Sequence, residues 1–281
     1  MSAYVRNVCK GACYAAMFLI AAAFAAFAQT RGAPPAGIAP PEVVRELAPT
    51  GKLRAAINVS NIVLAQRDPA GGEPHGITVD LARELARRLD VPIELVIFAS
   101  AGRVTDALAS GAWDVAFLAN EPARAAMIDF TAPYVLIEGT YMVPIDSPLQ
   151  TIADVDRAGV RIAVARGSAY DLYLTHTLKA ASLVRYATAS LAVPQFVADK
   201  LEAAAGVRQP LMLFAKSNPN VHVMDGRFQV IAEAMGIPQG RTAGLAYLRA
   251  LVEELKASGF VASALEGSHQ GDATVAPPAG N

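Results

Sequence analysis

The stretch WDVAFLANEPARAAMIDFTAPYV, residues 113–135, decides how the rest of the chain is read. It opens as an apolar strand through Val115, Ala116, Phe117 and Leu118 and then breaks into polar Asn120 and Glu121. From there it carries Arg124 to a turn over Asp129-Phe130-Thr131-Ala132-Pro133-Tyr134. A guanidinium at the end of an apolar strand presents a planar, two-pronged donor to an anion at the edge of a sheet. The stretch is therefore expected to floor a ligand cleft, with Arg124 as its anchor and Asn120 and Glu121 beside it. The structural alternative is that Arg124 pairs with Asp129 or Glu121.

Upstream, residues 52–57 read as a first strand that runs out into Asn58, Ser60 and Asn61. Ligands of open α/β sheets sit at such carboxyl ends. Leu81, Leu85 and Leu89 recur every four residues and mark a helix. Residues 93–98 form a second strand, with Ser100 just past it, and Val104, Ala107 and Leu108 a short helix closed by Gly111. Strand, helix, strand, helix, strand is the pattern of a parallel sheet with crossover helices. Downstream the pattern repeats in kind. Strand 160–164 ends in Arg166-Gly167-Ser168, and Ser168 is a candidate N-cap for a helix over 169–178, whose free N–H groups would face whatever binds there. A strand at 183–186, a helix at 192–204, a strand at 211–214, a strand at 228–232 and an amphipathic helix at 241–256 follow. Two α/β units joined by extended segments enclose a cleft, and such junctions are where small ligands bind.

Composition excludes several classes. Residues 1–28 read as a cleaved secretory signal: Arg6 and Lys10 form a basic head, 12–27 an uncharged apolar run, and Ala26-Phe27-Ala28 a cleavage site. Both cysteines, Cys9 and Cys13, lie inside it, so the mature chain has no thiol or disulfide. Without Arg6 and Lys10, 22 basic residues face 25 acidic ones, a net charge of about −3 that offers no footprint for nucleic acid. His75, His176, His222 and His269 lack metal-ligand spacing, and glycine-rich phosphate loops are absent. No cofactor, metal or catalytic residue is expected. Residues 29–49 read as a flexible lead-in and 267–281 as a disordered tail.

The ordered pieces resemble the bacterial extracellular solute-binding proteins of family 3, the periplasmic receptors of polar amino-acid uptake. The pieces are Gly51-Lys52-Leu53-Arg54, Gly76-Ile77-Thr78-Val79-Asp80-Leu81-Ala82, Ala107-Leu108-Ala109-Ser110-Gly111-Ala112-Trp113-Asp114, Arg124 before Asp129-Phe130-Thr131-Ala132-Pro133-Tyr134, and Val164-Ala165-Arg166-Gly167-Ser168. The final helix with Gly259-Phe260 closes the set. The resemblance implies an α/β, two-lobed periplasmic-binding-protein fold of type II, its ligand cleft between lobes joined by two hinge segments. Lobe one would comprise residues 50–138 and a return segment 228–266, and lobe two with the hinges 139–227. It implies a monomer in the periplasm that closes on a small-molecule ligand and presents it to the membrane permease of an ABC importer. It also implies that Arg124 forks onto the ligand's carboxylate.

Three departures bear on selectivity. Asn120, Glu121 and Pro122 replace the threonines that usually precede the Arg, the stacking aromatic falls near Asn61, and the lobe-two Asp that pairs a ligand ammonium falls at or near Val207. The expected ligand is accordingly an anion or polar solute, held by Asn58, Asn61, Ser100, Asn120, Glu121 and Arg124 from one lobe and by Arg166, Gly167, Ser168 and Arg208 from the other. Arg208 has a second reading as a solvated loop charge. A small dehydratase group resembles these receptors in fold, so an exported enzyme with Glu121 as proton donor is the alternative. A sensor that presents its closed form to a signalling partner is a third.

Overall fold

The computed structural model describes residues 39–68, 71–271 and 273–280. The expected signal, 1–28, and the start of the lead-in lie outside them. Helix α1 (Pro41–Leu47) begins with a proline, which is tolerated in a first turn where no N–H is needed. It buries Val43 and Leu47, so residues 39–49 are not the unpacked lead-in that their composition suggests.

The first α/β series is β1 (Leu53–Asn58), α2 (Ile77–Leu89), β2 (Ile93–Phe98), α3 (Ala101–Asp106) and β3 (Val115–Ala119). Leu81, Leu85 and Leu89 turn inward from α2 as their spacing predicts. β1 pairs in parallel with β2 and with β3. One helical turn, α4 (Pro122–Ala125), leads into the 17-residue β4 (Ile128–Pro144). The turn expected at 129–134 is part of this strand. Pro133 sits between two register shifts of the ladder, where its missing N–H breaks no regular pairing.

The second series is β5 (Arg161–Ala165), α5 (Ala169–Thr177), β6 (Ser182–Tyr186), α6 (Ala189–Ala198), β7 (Ala203–Val207), α7 (Arg208–Lys216) and β8 (Val221–Val223). Here the sequence reading slips by one element. The helix expected over 192–204 stops at Ala198, residues 203–207 are a strand, and the strand expected at 211–214 is helical. β7 reads Ala-Ala-Ala-Gly-Val and is buried throughout, so it has no alternation to betray it. In α7 only Leu211 is buried, while Met212 and Leu213 face outward.

The chain then returns through β9 (Gln229–Pro238), α8 (Thr242–Ala257), α9 (Phe260–Gly267) and β10 (Thr274–Val275). β9 runs antiparallel to β3 on one side and to β4 on the other, giving the order β2-β1-β3-β9-β4-β7-β5-β6. β4 changes partner at Gly139, which lies opposite Gln229 of β9 and Val207 of β7. The halves are thus joined by two crossings, near 139 and near 228, a hinge-type connection. The ring of Phe228 covers Gly139 so closely that a Cβ there would come within 3.0 Å of it. α8 buries Leu248, Leu251, Val252 and Leu255. The tail is not disordered where it is described. Thr274 and Val275 pair with Leu136 and Val135 of β4, and the Ala276 N–H donates to the Tyr134 carbonyl at 3.0 Å. Small apolar Ala273 and Ala276 are buried there, which a Gly/Pro-rich composition conceals.

Candidate functional site

Four strands end at one place. Asn58, Ala119, Ala165 and Val207 are the last residues of β1, β3, β5 and β7, and all line a cavity of about 230 Å³. Carboxyl ends from both halves therefore converge on it.

Arg124 is delivered to this cavity by α4. Pro122 starts the turn, and the Glu121 carbonyl accepts the N–H groups of Arg124 and Ala125, each at 2.9 Å. The Arg124 side chain is 2% exposed. Its Nη1 donates to the Ala119 carbonyl at 3.0 Å and its Nη2 to the Gly167 carbonyl, in the facing half, at 2.8 Å. Nε is buried with no partner. Neither expected ion pair forms: Asp129 accepts from the Gly240 N–H at 3.3 Å, and Glu121 accepts from Gln229 Nε2 at 2.7 Å. Burial depresses the Arg124 pKa, while the nearby Glu233 and Glu121 hold it up.

Glu233 was not foreseen. It is 5% exposed, lines the cavity, and is the one carboxylate among the described residues that do so. Burial pushes its carboxyl up to about 7, against the pull of Arg124 and with a further push from Glu121. The strand expected at 228–232 stops one residue short of it. The period-two series Gln229, Ile231, Glu233, all buried, is the signal that would have found it.

Of the residues chosen from the sequence, Asn58, Asn61, Ser100, Arg124, Arg166 and Ser168 line the cavity, and Gly167 supplies the carbonyl that receives Arg124. Several of their side-chain oxygens hold local structure. Asn58 Oδ1 accepts from the Ser60 N–H at 3.1 Å and its hydroxyl at 2.7 Å, and Asn61 Oδ1 from the Val63 N–H at 3.3 Å. Ser100 and Ser168 are N-caps, accepting from Arg103 at 3.3 Å and Asp171 at 3.1 Å. Asn120, Glu121 and Arg208 lie off the cavity wall. Arg208 opens α7 and folds back to the hinge. There its Nε donates to Glu138 Oε2 at 2.7 Å, a second group reaches the Gly226 carbonyl, and Arg227 holds the other Glu138 oxygen at 2.5 Å.

The Trp113-Asp114 pair proves structural. Trp113 Nε1 donates to the Val104 carbonyl at 2.9 Å, and the fully buried Asp114 receives Arg54 through Nε at 2.9 Å and Nη2 at 2.7 Å. Across the cleft the two halves meet backbone to backbone. A Cβ at Gly102 would lie 2.9 Å from the Arg166 carbonyl oxygen, and one at Gly167, whose φ is 69°, would lie 2.8 Å from the Gly102 Cα. Among the described residues there is no group of three or more potential metal ligands, and no helix is long and apolar enough to cross a membrane.

The fold has known counterparts. A mutant of ArgBP from T. maritima superposes with a TM-score of 0.70 at 22% identity, covering 81% of this chain and 99% of that one. AbpA from Streptococcus pneumoniae, an amino acid ABC transporter substrate-binding protein bound to L-arginine, gives 0.69 at 20% identity over 80% and 97%. An ancestral amino-acid-binding protein, a precursor of cyclohexadienyl dehydratase, gives 0.67 at 22% identity over 80% and 98%. These likenesses establish a two-lobed periplasmic-binding-protein architecture. In sequence, the amino-acid-binding protein AabA of Dichelobacter nodosus is 26% identical over 148 residues. That match takes in 51% of this chain and 58% of the relative, less than two thirds of its length. The family model of the bacterial extracellular solute-binding proteins, family 3, matches residues 53–267, more than three quarters of the chain, and the protein belongs to that family.

Proposed function

We propose that the protein is a periplasmic solute receptor that captures a small carboxylate-bearing solute, an amino acid or a simple carboxylate, and presents it to the membrane permease of an ABC importer. The observation that carries this reading is Arg124: a wholly buried guanidinium, in the cavity where both halves converge, with no ion pair within 4.0 Å among the described residues. Residues 50–138 with 228–266 form lobe one in this reading, and 139–227 lobe two. The crossings near Gly139 and Phe228 act as the hinge. Ligand contacts to both lobes supply the differential affinity that shifts an open-to-closed equilibrium. The protein acts as a monomer, exported by its residues 1–28, and performs no chemistry on what it carries. The family and the amino-acid-binding relatives support this reading. Native mass spectrometry of the purified protein is expected to find a co-purified small solute bearing a carboxylate. If neither co-purified solute nor any amino acid or small carboxylate binds in calorimetric titration, the reading falls.

An exported dehydratase is the second reading, favoured by the likeness to the ancestral dehydratase precursor. It needs a poised acid at the substrate. Glu121, the acid expected for it, lies off the cavity wall and is bound to Gln229. Consumption of arogenate or prephenate by the purified protein would favour the enzyme over the receptor.

A further inference from the structure

Val207, at or near which the resemblance puts the family's lobe-two Asp, lines the cavity and leaves a ligand cation unmet from that side. The cavity nevertheless holds a carboxylate, on the other lobe. Glu233 follows Ile231 by two residues on β9, and both face the cavity. It stands opposite Ala119 in the β3–β9 register, and the Ala119 carbonyl is the one that receives Arg124 Nη1. Glu233 and the Arg124 guanidinium thus line the same cavity, close enough for each charge to act on the other.

The two charges do not consume each other. The Glu233 side chain has no hydrogen bond or ion pair among the described residues, and the Arg124 guanidinium spends its bonds on two backbone carbonyls. The result is a buried base and a buried acid, side by side and separately available. Around them the cavity is largely apolar, with Phe117 and Leu118 from lobe one and Val193, Leu211 and Phe214 from lobe two, while Asn58, Asn61, Ser100, Arg166 and Ser168 complete its wall. A buried carboxylate without a partner is unfavourable and gains most from a ligand cation placed against it.

We propose that Glu233 is the cation-recognition residue of this receptor, so that the cleft takes a zwitterion with its carboxylate at Arg124, its ammonium at Glu233 and an apolar side chain against the lobe-two wall. The inference rests on the receptor reading and deepens it. Recognition of both charged ends moves to lobe one, and the absence of an acid at Val207 no longer argues against an amino acid. A buried acid left unpaired by a ligand that lacks the ammonium discriminates strongly.

The test is calorimetric titration of the full mature chain with valine, leucine and phenylalanine and with their des-amino counterparts isovalerate, isocaproate and hydrocinnamate. The wild type is expected to bind at least one amino acid about a hundredfold more tightly than its des-amino counterpart. In Glu233→Gln that preference should shrink to a few-fold. Glu233→Asp, which keeps the charge, should retain the preference and serves if the Gln variant does not fold. A readout free of substitution is proton release. The groups that face Glu233 are Arg124 and Glu121 from the β3–β4 connection and Tyr134 from β4. An arriving ammonium should expel protons from Glu233 near neutral pH, seen as a dependence of binding heat on the buffer, whereas a des-amino carboxylate, which adds only negative charge, should release none and shift the heat in the opposite sense. Binding of the carboxylates in preference to the amino acids, or an undiminished preference in Glu233→Gln, overturns the role of Glu233 and leaves the receptor reading standing. Binding of neither set overturns the proposed zwitterion with an apolar side chain, and the receptor reading then stands or falls on the co-purified solute and the wider titration.

Discussion

On the wall of the cavity built from β3, α4 and β9 stand Arg124 and Glu233, both buried and both ionisable. The wall that faces them, from α6, β7 and α7, offers mainly apolar Val193, Val207, Leu211 and Phe214, with Arg166 and Ser168 beside it past the end of β5. The difference separates two tasks. Charged recognition needs preorganised groups in a dry place, and the rigid sheet of lobe one holds them. Covering that place needs only apolar surface, which excludes water and strengthens the charges beneath it. In the proposed receptor, one lobe would read the head group and the other close over it.

The contrast can be attacked at three points. The largest effect concerns stability. Glu233 has a carboxyl raised to about 7 in the folded chain, against an ordinary value of 4.5. Between those values the folded state holds a proton that the unfolded state has lost, so stability falls as pH rises from 4.5 through 7. The contribution, full below the unfolded value, amounts to about 3 kcal/mol. Chemical denaturation of ligand-free protein at the two ends of that range should show the loss, and Glu233→Gln should flatten it. Equal slopes in both proteins would mean that lobe one carries no unpaired acid. Next comes Arg124→Ala, which should weaken ligand binding about a hundredfold, some 2–3 kcal/mol for a lost charge-assisted fork. Near-native affinity in calorimetry would move the anchor elsewhere. The smallest effect belongs to lobe two. Arg208→Ala removes a partly exposed hinge ion pair, and affinity should change less than threefold, about 0.5 kcal/mol. A loss matching that of Arg124→Ala would show that lobe two reads charge after all.

Lobe one was largely legible from its residues, because each element carries its own punctuation: the Leu81, Leu85, Leu89 stripe, the Ser100 cap and Gly111 at the left-handed close of its short helix. Arg124 stood out because a guanidinium in the short connection after an apolar strand is placed to meet an anion at the sheet edge. Where legibility failed, tertiary context decided. β7 is a strand of small residues buried on both faces, indistinguishable by pattern from a helix end. Pro133 reads as a turn yet occupies a bulge, and the 273–276 segment reads as a loose tail yet pairs with β4. Arg208 looks like a cleft residue by position but is claimed by Glu138, 70 positions away in the chain. Glu233 was invisible as a site residue because its meaning depends on Arg124, which a sheet register and not a motif brings beside it.

The meeting of Gly102 with Gly167 has a consequence for size selection. No side chain stands between the halves at that point, and neither glycine can acquire one without a clash. In the proposed receptor the backbones would act as a hard stop, so that the width of the gap on closure is set by the chain and not by its cargo. A solute that fills less than the space behind the stop leaves it engaged. One that is too large holds the glycines apart and prevents the closed shape from forming. The proposed receptor would then gauge solutes by volume as well as trap them, at a contact that never touches them.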